Sequence, residues 1–321
     1  MSKQTKVNIS VADAFKIDVP KGVVVPGYAT PSVFTPKIDE HYEFVKETLS
    51  DILAWMHLSQ SMPDGLYLTG PTGCGKSSVI CQVMARLNLP LQRVNAHSQM
   101  EIPELLGHHT VIDGDLVWQD GPLTTAYRFG HAFLLDEIDL LEPAVAAGLN
   151  SILEGAPLTL AQNGGEVIHP HPDFRFIATG NTNGGGDANG LWSGTTKQNT
   201  AFMDRMWVIE VGYPAADLEE RVLKAKVGLP DDTASKMISF ANHIRELFMG
   251  TNESAGAIEI TMSTRTLVRW GMMSLFMTSK KLEGTYPIKY ALERALANRG
   301  TPTTKFALLE ACDRFFDVSS V

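Results

Sequence analysis

Cysteine is scarce in this chain, and its scarcity excludes two classes of scaffold. Three cysteines, Cys74, Cys81 and Cys312, occur among 321 residues. Their spacing matches neither a zinc site nor a disulfide framework. The length allows a full α/β core and a second, smaller domain, and hydrophobic residues make up 44% of the chain. We therefore expect a buried hydrophobic core, rather than covalent cross-links, to hold the fold together.

Long apolar runs and an excess of positive charge are also missing. No run approaches the ~18 apolar residues that a membrane-spanning helix needs. The first ten residues, MSKQTKVNIS, contain no stretch resembling a signal peptide. The net charge is −9, from 27 basic and 36 acidic residues, which argues against nucleic acid as the main partner. We expect a soluble, cytoplasmic protein that acts away from membranes.

The most informative stretch that is present is an eight-residue loop pattern, G-x-x-x-x-G-K-[ST]. It lies between a short apolar run at 66–68 and a helical stretch that starts at Ser77. Its glycines let backbone N–H groups turn toward phosphates, and a helix N-terminus favours their negative charge. Lys76 is expected to reach the β- and γ-phosphates of ATP, and the Ser77 hydroxyl to bind Mg²⁺. The predicted nucleotide-binding residues are Gly70, Pro71, Thr72, Gly73, Cys74, Gly75, Lys76, Ser77 and Ser78. A chance glycine turn before a helix is the alternative.

Predicted strands, among them 91–95 and 132–136, alternate with predicted helices, among them those near 122–129 and 145–153, between residues 41 and 212. This alternation predicts an α/β core with a mostly parallel sheet flanked by helices. Residues 1–40 have few helical periods and are predicted to form an extended arm that packs on another element. Residues 213–321 show helical spacing and are predicted to form an all-α domain.

Two stretches interrupt the alternation, and each is predicted to be an inserted β-hairpin. They lie near 109–119 and 158–169. Their centres are Asp113-Gly114 and Asn163-Gly164, dipeptides that suit type I′ turns because they accept positive φ. A parallel sheet built from βαβ units needs neither hairpin, so we expect both to be insertions with a role of their own.

The apolar run at 132–135 ends in two acids, Asp136 and Glu137. After a phosphate loop, Asp136 is expected to hold Mg²⁺ and Glu137 to polarise the attacking water. A strand followed by an ordinary polar turn is the alternative. The next apolar run, at 174–179, leads into Asn181, whose amide is expected to hold the water or sense the γ-phosphate. A capping asparagine is the alternative there.

Two arginines complete the predicted catalytic set. Arg205 precedes the last predicted strand, and Arg265 opens a helix of the all-α domain. A fixed guanidinium can stabilise charge that accumulates on a transferred phosphoryl group. Taken singly, each arginine is better explained as a surface salt-bridge residue, and its place in the order of elements is what favours a catalytic role.

Taken together, these features resemble the AAA+ ATPases. The pair of hairpins resembles the MoxR branch, whose inserts face the substrate side of a hexameric ring. Further stretches resemble the CobS family of aerobic cobaltochelatases, with sister resemblance to CbbQ/NorQ-type activators. The stretches that carry the CobS resemblance are 15–18, 25–28, 170–175, 178–182, 186–195, 203–205 and 262–266.

The resemblance implies roles, cofactors and partners. Glu137 and Asn181 would act in hydrolysis, Arg205 would be the finger inserted into the neighbouring subunit's site, and Arg265 would be the second sensor. ATP with Mg²⁺ would be the cofactors. The partners would be a CobT-like protein with a von Willebrand A domain and a large chelatase subunit, and the process cobalt insertion into a corrin precursor.

Four histidines raise the question of a cobalt site in the chain itself. His108, His109, His169 and His171 lie at or near the predicted hairpins. No carboxylate or cysteine completes a ligand set at normal spacing. The favoured interpretation is therefore that they are surface turn residues.

Other functions stay open at this point. An activator that strips inhibitors from another enzyme, as CbbQ-type proteins do, or a phage-encoded CobS-like ATPase would use the same chemistry. A nucleotide-dependent scaffold is opposed by the complete set of Lys76, Asp136 and Glu137. A DNA-associated ATPase is opposed by the acidic net charge.

Overall fold

The computed structural model describes residues 4–187, 194–250, 258–280 and 286–316. Contacts divide the chain into two compact units. The core unit comprises the described residues within Met1–Glu40, Phe44–Pro71 and Lys76–Val211, and the helical unit those within His41–Glu43, Thr72–Gly75 and Gly212–Val321. Within the described ranges, no helix combines the length and hydropathy that a membrane crossing requires. Part of the motif at 186–195, residues 188–193, lies outside the described residues.

The central sheet of the core unit is five-stranded and entirely parallel. The strands in the described chain are β1 (Lys6–Ser10), β2 (Val24–Tyr28), β3 (Gly65–Thr69), β4 (Leu91–Asn95), β5 (Gly107–Ile112), β6 (Asp115–Asp120), β7 (Ala132–Asp136), β8 (Leu158–Leu160), β9 (Glu166–Ile168), β10 (Arg175–Gly180) and β11 (Met206–Glu210). The sheet order is β11-β3-β10-β7-β4. β3 and β7 are buried along their whole length, as expected for parallel strands covered on both faces. The predicted α/β core is confirmed.

Helices flank this sheet and make up the helical unit. In the described core unit they are α1 (Val11–Phe15), α2 (Lys46–Leu58), α3 (Lys76–Arg86), α4 (Ile102–Leu106), α5 (Pro122–Phe129), α6 (Pro143–Ala147), α7 (Asn150–Leu153) and α8 (Thr200–Met203). In the described helical unit they are α9 (Ala216–Val227), α10 (Asp231–Met249), α11 (Thr264–Lys280), α12 (Pro287–Ala295) and α13 (Pro302–Phe316). One helix was predicted near 145–153, but the chain forms α6 and α7 there. The first of them ends at Ala147, before Gly148, a residue with low helix propensity.

The N-terminal segment differs from the predicted extended arm. β1 and β2 pair antiparallel around α1. Val11 and Phe15 of α1 are buried, and the Tyr28 N–H donates a hydrogen bond to the Leu87 carbonyl at 3.0 Å. Burial of these apolar side chains stabilises a folded segment on the chain's own core.

The two predicted hairpins are present, but their turns differ. β5 and β6 form the first hairpin, whose turn residues Asp113 and Gly114 have φ of 53° and 94°, as a type I′ turn requires. β8 and β9 form the second hairpin. The type I′ turn predicted at Asn163-Gly164 is wrong, because the positive φ values fall on Gly164 and Gly165 within a longer loop.

The carboxyl ends of the parallel strands meet at one edge of the sheet. β3 ends at Thr69 before the phosphate loop, β7 ends at Asp136, and β10 ends at Gly180 before Asn181. β10 lies between β3 and β7. Ligands of open α/β sheets bind beyond this edge, so the fold brings the predicted polar residues to the expected place.

Candidate functional site: a nucleotide-binding edge of the core unit

The phosphate loop adopts a conformation that its glycines make possible. Gly70, Gly73 and Gly75 have φ of 147°, 76° and 107°, values that other residues rarely adopt. α3 begins directly afterwards, at Lys76. The N–H groups of a first helical turn have no partner within the helix, which makes this turn suited to bind an anion.

Lys76 is a buried cation held by three oxygen atoms. Its Nζ donates to the Gly70 carbonyl at 2.7 Å, the Pro71 carbonyl at 3.1 Å and Asn181 Oδ1 at 3.0 Å. The side chain is buried, so its charge acts in a medium of lower dielectric constant than water. The predicted asparagine and the predicted lysine are therefore in direct contact.

Asp136 lies at the centre of a network of donors. Its Oδ1 accepts hydrogen bonds from Ser77 Oγ, at 2.6 Å, and from the Thr179 hydroxyl. Its Oδ2 accepts from Arg93, with Nε at 3.1 Å and Nη2 closer. Burial alone would raise the pKa of Asp136, but the bonds from Ser77, Thr179 and Arg93 and the charge of Arg93 outweigh it, so the pKa lies below its ordinary value.

The pair of Ser77 and Asp136 has the chemistry of a magnesium site. A hydroxyl and a carboxylate are the hard oxygen ligands that Mg²⁺ binds, and their contact shows that both can reach one ion. Among the described residues, no group of three or more histidine, cysteine, aspartate or glutamate side chains could hold a metal ion. A Mg²⁺ ion here would therefore take its other ligands from phosphate oxygens and water.

Glu137 follows Asp136 at the strand end and is exposed. Its φ is 59°, in the left-handed region. Its N–H donates to the Thr179 hydroxyl at 3.2 Å. Thr179 thus contacts both acids of the pair and fixes the backbone between them.

Asp139 holds the turn that carries Asn181, and sequence reasoning missed it. Its Oδ2 accepts from the N–H groups of Asn181 and Thr182, at 2.6 and 3.1 Å. The Tyr67 hydroxyl donates to the Thr182 carbonyl at 2.6 Å. Burial raises the pKa of Asp139, and the two N–H groups partly oppose that rise.

Arg93 and Thr179 were missed as well. The available signal was their position, since Thr179 is the second-last residue of β10 and Arg93 lies on β4, beside β7. Both residues bond to Asp136 because β4 and β10 lie on either side of β7 in register. Sequence spacing alone does not reveal that alignment.

The hydrogen bonds of Arg205, the first predicted arginine, go to residues outside this network. Arg205 donates from Nε to Glu154 Oε1 at 2.8 Å, with Nη2 bonding the same oxygen, and from Nη1 to the Ala201 carbonyl at 2.5 Å. Among the described residues it has no hydrogen bond to Lys76 or Asp136. Arg265 is an exposed residue in the first turn of α11, in the helical unit.

Comparison with known proteins identifies relatives for both parts of the chain. A family model for the AAA domain of the dynein-related subfamily matches residues 65–206, and a model for the C-terminal region of CbbQ, NirQ and NorQ matches residues 219–315. The aerobic cobaltochelatase subunit CobS of Sinorhizobium sp is 36% identical over 281 residues, which cover 84% of this chain and 81% of CobS. Protein CbbQ of Hydrogenophilus thermoluteolus is 28% identical over 208 residues, or 65% of this chain and 73% of CbbQ.

A solved structure supports the fold. A mutant of RuvB from Thermotoga maritima superimposes with a TM-score of 0.53 at 15% identity, covering 81% of this chain and 73% of RuvB. The fold and the edge of the sheet that holds Lys76 and Asp136 are those of the AAA+ class of ATPases. Within that class, the chain belongs to the MoxR-type AAA+ ATPases related to CobS and to the CbbQ/NorQ activators. The predicted resemblance is confirmed.

Proposed function

We propose that this chain is an ATP-hydrolysing motor that forms a hexameric ring in the cytoplasm and remodels a partner complex. The observation that carries the ATPase part is a pair of contacts, Lys76 with Asn181 and Ser77 with Asp136. They join the start of α3 to the ends of β10 and β7. Groups that must act on one phosphate are therefore within reach of one another.

In this proposal, the phosphate loop from Gly70 to Ser78 cradles the phosphates. Lys76 exchanges its bonds to the Gly70 carbonyl and Asn181 for phosphate oxygens. Ser77 and Asp136 hold Mg²⁺, which neutralises phosphate charge when it is bound. The Asn181 amide would then orient the attacking water.

Glu137 is the proposed general base. It is exposed and ionisable, and it adjoins Asp136 at the strand end. Its carboxylate would accept a proton from the water as the water attacks the γ-phosphate. Thr179 holds its backbone in place through the 3.2 Å bond from the Glu137 N–H.

Arg205 and Arg265 are proposed to act on the developing phosphoryl charge. Arg205 would serve the site of the neighbouring subunit, and Arg265 would be the second sensor. In the single subunit, Arg205 is paired with Glu154. Formation of a ring would therefore exchange this partner for the phosphate of the next subunit.

For the partner, we propose the cobalt-insertion role of CobS. Identity of 36% over 84% of the chain supports it. The partners would then be a CobT-like protein with a von Willebrand A domain and a large chelatase subunit, and the end use would be cobalt insertion into a corrin precursor. The chain would supply the motor.

A second candidate is an activator of another enzyme, of the CbbQ/NorQ kind. The match of the CbbQ/NirQ/NorQ C-terminal model to residues 219–315 favours it. The nucleotide chemistry would be the same, and the difference would lie in the partner.

The variant Glu137→Gln tests the ATPase part of the proposal. It should bind ATP with the affinity of the wild type but hydrolyse it at least about 100-fold more slowly, because a general base contributes 10²- to 10⁴-fold. Binding is measured with a fluorescent ATP analogue, hydrolysis by phosphate release, and ring size by native mass spectrometry. Glu142→Gln, at another exposed glutamate, is the matched control. Lys76→Ala should lose nucleotide binding. Wild-type hydrolysis by Glu137→Gln would contradict the role of Glu137.

The same variant identifies the partner. Tagged Glu137→Gln protein is recovered from the native host in ATP, and bound proteins are identified by mass spectrometry. A von Willebrand A protein together with a large chelatase subunit would support cobalt insertion. The same type of adaptor with a different enzyme would support the second candidate.

A further inference from the structure

Arg128 contacts both inserted hairpins at once. It lies on α5 and faces Asp120 of the first hairpin and Glu166 of the second. Nε and Nη2 donate to the two oxygens of Asp120 at 2.9 and 3.3 Å. Nη1 and Nη2 donate to the two oxygens of Glu166 at 2.6 and 3.1 Å. Each carboxylate is thus held by two bonds, the geometry in which arginine gives both strength and direction.

Further hydrogen bonds extend this contact into each hairpin. Trp118 Nε1 donates to Asp120 Oδ1 at 2.8 Å. Asn163 Nδ2, in the loop of the second hairpin, donates to Glu166 Oε2 at 2.8 Å. The result is a continuous series of bonds from Trp118, through Arg128, to Asn163.

The charges in this cluster are partly shielded from water. The hydrogen bonds that Arg128 donates to Glu166 and Asp120 raise the pKa of Arg128, and the bond from Arg128 lowers the pKa of Glu166. Both shifts favour the ionised pair. This cluster is partly shielded from water, and Arg128 bonds both oxygens of each carboxylate. It therefore differs from a single exposed ion pair, which contributes little to stability.

The second hairpin is short, and the contact with Arg128 helps to hold it in place. Its strands are three residues each, and isolated short hairpins are marginal in water. Leu160 and Ile168 bury one face of it. Glu166 adds a side-chain attachment at the loop end, where its backbone pairs with Leu160.

The elements that follow the hairpins lead to the nucleotide site. The first hairpin continues through α5 into β7, which ends at Asp136, and the second continues into β10, which ends before Asn181. β7 and β10 are neighbours in the sheet. Arg128 therefore links two inserts, each of which leads along the chain into one of two adjacent strands of the site.

We propose that Arg128 is a positioning residue that couples the two hairpins, so that a displacement of one is transmitted to the other. This inference rests on the proposed function, in which the hairpins act on a partner. The first hairpin presents Val111 and Leu116, a cross-strand pair that is 68% and 69% exposed, near its tip. A load on this tip would reach the second hairpin through Asp120, Arg128 and Glu166.

The test is a double-mutant cycle read by amide hydrogen exchange on the nucleotide-free, full-length protein. Arg128→Met should speed exchange in both hairpins by about fivefold or more, within the range of coupled contacts. Asp120→Asn and Glu166→Gln should each speed exchange in both hairpins. Their combined effect should be smaller than the product of the single effects, because each one already loosens Arg128. In the Arg128→Met background, neither Asp120→Asn nor Glu166→Gln should increase the exchange rate further.

Arg314→Met is the matched control, because Arg314 pairs with Glu310 one turn away on α13; it should leave both hairpins unchanged. The proposal is overturned if Asp120→Asn affects only the first hairpin, Glu166→Gln only the second, and the double variant equals their product. Basal hydrolysis by Arg128→Met should stay within about twofold of the wild type. Loss to the level of Glu137→Gln with unchanged hairpin exchange would also overturn it, since Arg128 would then act at the nucleotide site. Absence of hydrolysis in the wild type would contradict the proposed ATPase alone, because exchange is measured without nucleotide.

Discussion

Asp136 of the core unit and Glu219 of the helical unit are both buried carboxylates held by an arginine and by hydroxyl donors, two for Asp136 and one for Glu219. Glu219 accepts two bonds of 2.7 Å from Arg245 and one of 2.6 Å from Thr264. Asp136 accepts from Arg93 and from two hydroxyls. By donor type alone, the two clusters would be given the same role.

The arginines differ in their access to water. The Arg245 side chain is 6% exposed, also donates to the Met262 carbonyl at 2.8 Å, and lies 4.2 Å from the Tyr213 ring centroid. The Arg93 side chain is 47% exposed, although Asp136 beneath it is 6% exposed. A charge pair that is closed on all sides is costly to break, whereas an arginine at the surface can be solvated when its partner changes. Exposure of the cation therefore separates a pair that holds the fold from one whose partner can be exchanged.

The largest expected effect is on the closed pair. Arg245→Met leaves Glu219 buried without its counter-charge, which should lower the free energy of unfolding by about 3–5 kcal/mol. Urea denaturation followed by circular dichroism measures the change. Arg221→Met, at a largely exposed arginine of the same unit, should cost less than about 1 kcal/mol. Equal costs for the two variants would break the comparison.

His131 is a buried ionisable group that, unlike Asp136 and Glu219, is bonded to a neutral partner. That partner is the side-chain amide of Gln92. Burial, and then the charge of His171, lower the pKa of His131 to about 4. The unfolded chain, with a histidine pKa of about 6.5, binds this proton first, so stability should fall as the pH falls from about 6.5 to 4. The loss should reach about 2–3 kcal/mol.

The measurement is urea denaturation at a series of pH values. His131→Gln should flatten the dependence in this window, whereas His57→Gln, at an exposed histidine, should not. An unchanged slope in His131→Gln would show that other groups cause the acid sensitivity.

The smallest expected effect on stability is at the open pair. Arg93→Gln should cost about 1 kcal/mol or less, because water can replace the exposed guanidinium. The proposed Mg²⁺ site shares Asp136 with Arg93, so the variant should also bind a divalent cation severalfold more tightly. Manganese binding measured by electron paramagnetic resonance tests this without turnover, and Asp136→Asn should abolish the signal of the bound ion. Weaker manganese binding by Arg93→Gln would mean that Arg93 supports the metal site instead of competing with it.

The sequence predicted the parts of the fold that local patterns determine. The strands at 91–95 and 132–136 and the helix at 122–129 have the predicted bounds, because their apolar residues and the flanking Gly and Pro mark them. The phosphate loop and the acidic strand end carried the AAA+ resemblance, which the comparisons confirm. The roles of Arg205 and Arg265 stay predictions.

What the sequence did not predict depends on contacts between distant segments. Asp139 follows the acidic pair and looks like a turn residue, yet it bonds backbone that lies over forty positions away. The N-terminal segment has too few apolar residues at helical spacing to indicate α1. Burial of this short helix against the core stabilises it. The second hairpin lacks the predicted turn because its loop is fixed partly by Asn163 bonding Glu166, which no dipeptide preference encodes.

The backbone of Glu137 has a consequence for engineering this protein. A left-handed conformation costs a residue with a side chain about 1–2 kcal/mol, and glycine avoids most of that cost. Glu137→Gly should therefore make the nucleotide-free protein more resistant to heat while removing its proposed general base. A screen for thermal tolerance alone would select this change, so any stabilised version of the chain needs a turnover assay alongside its melting curve.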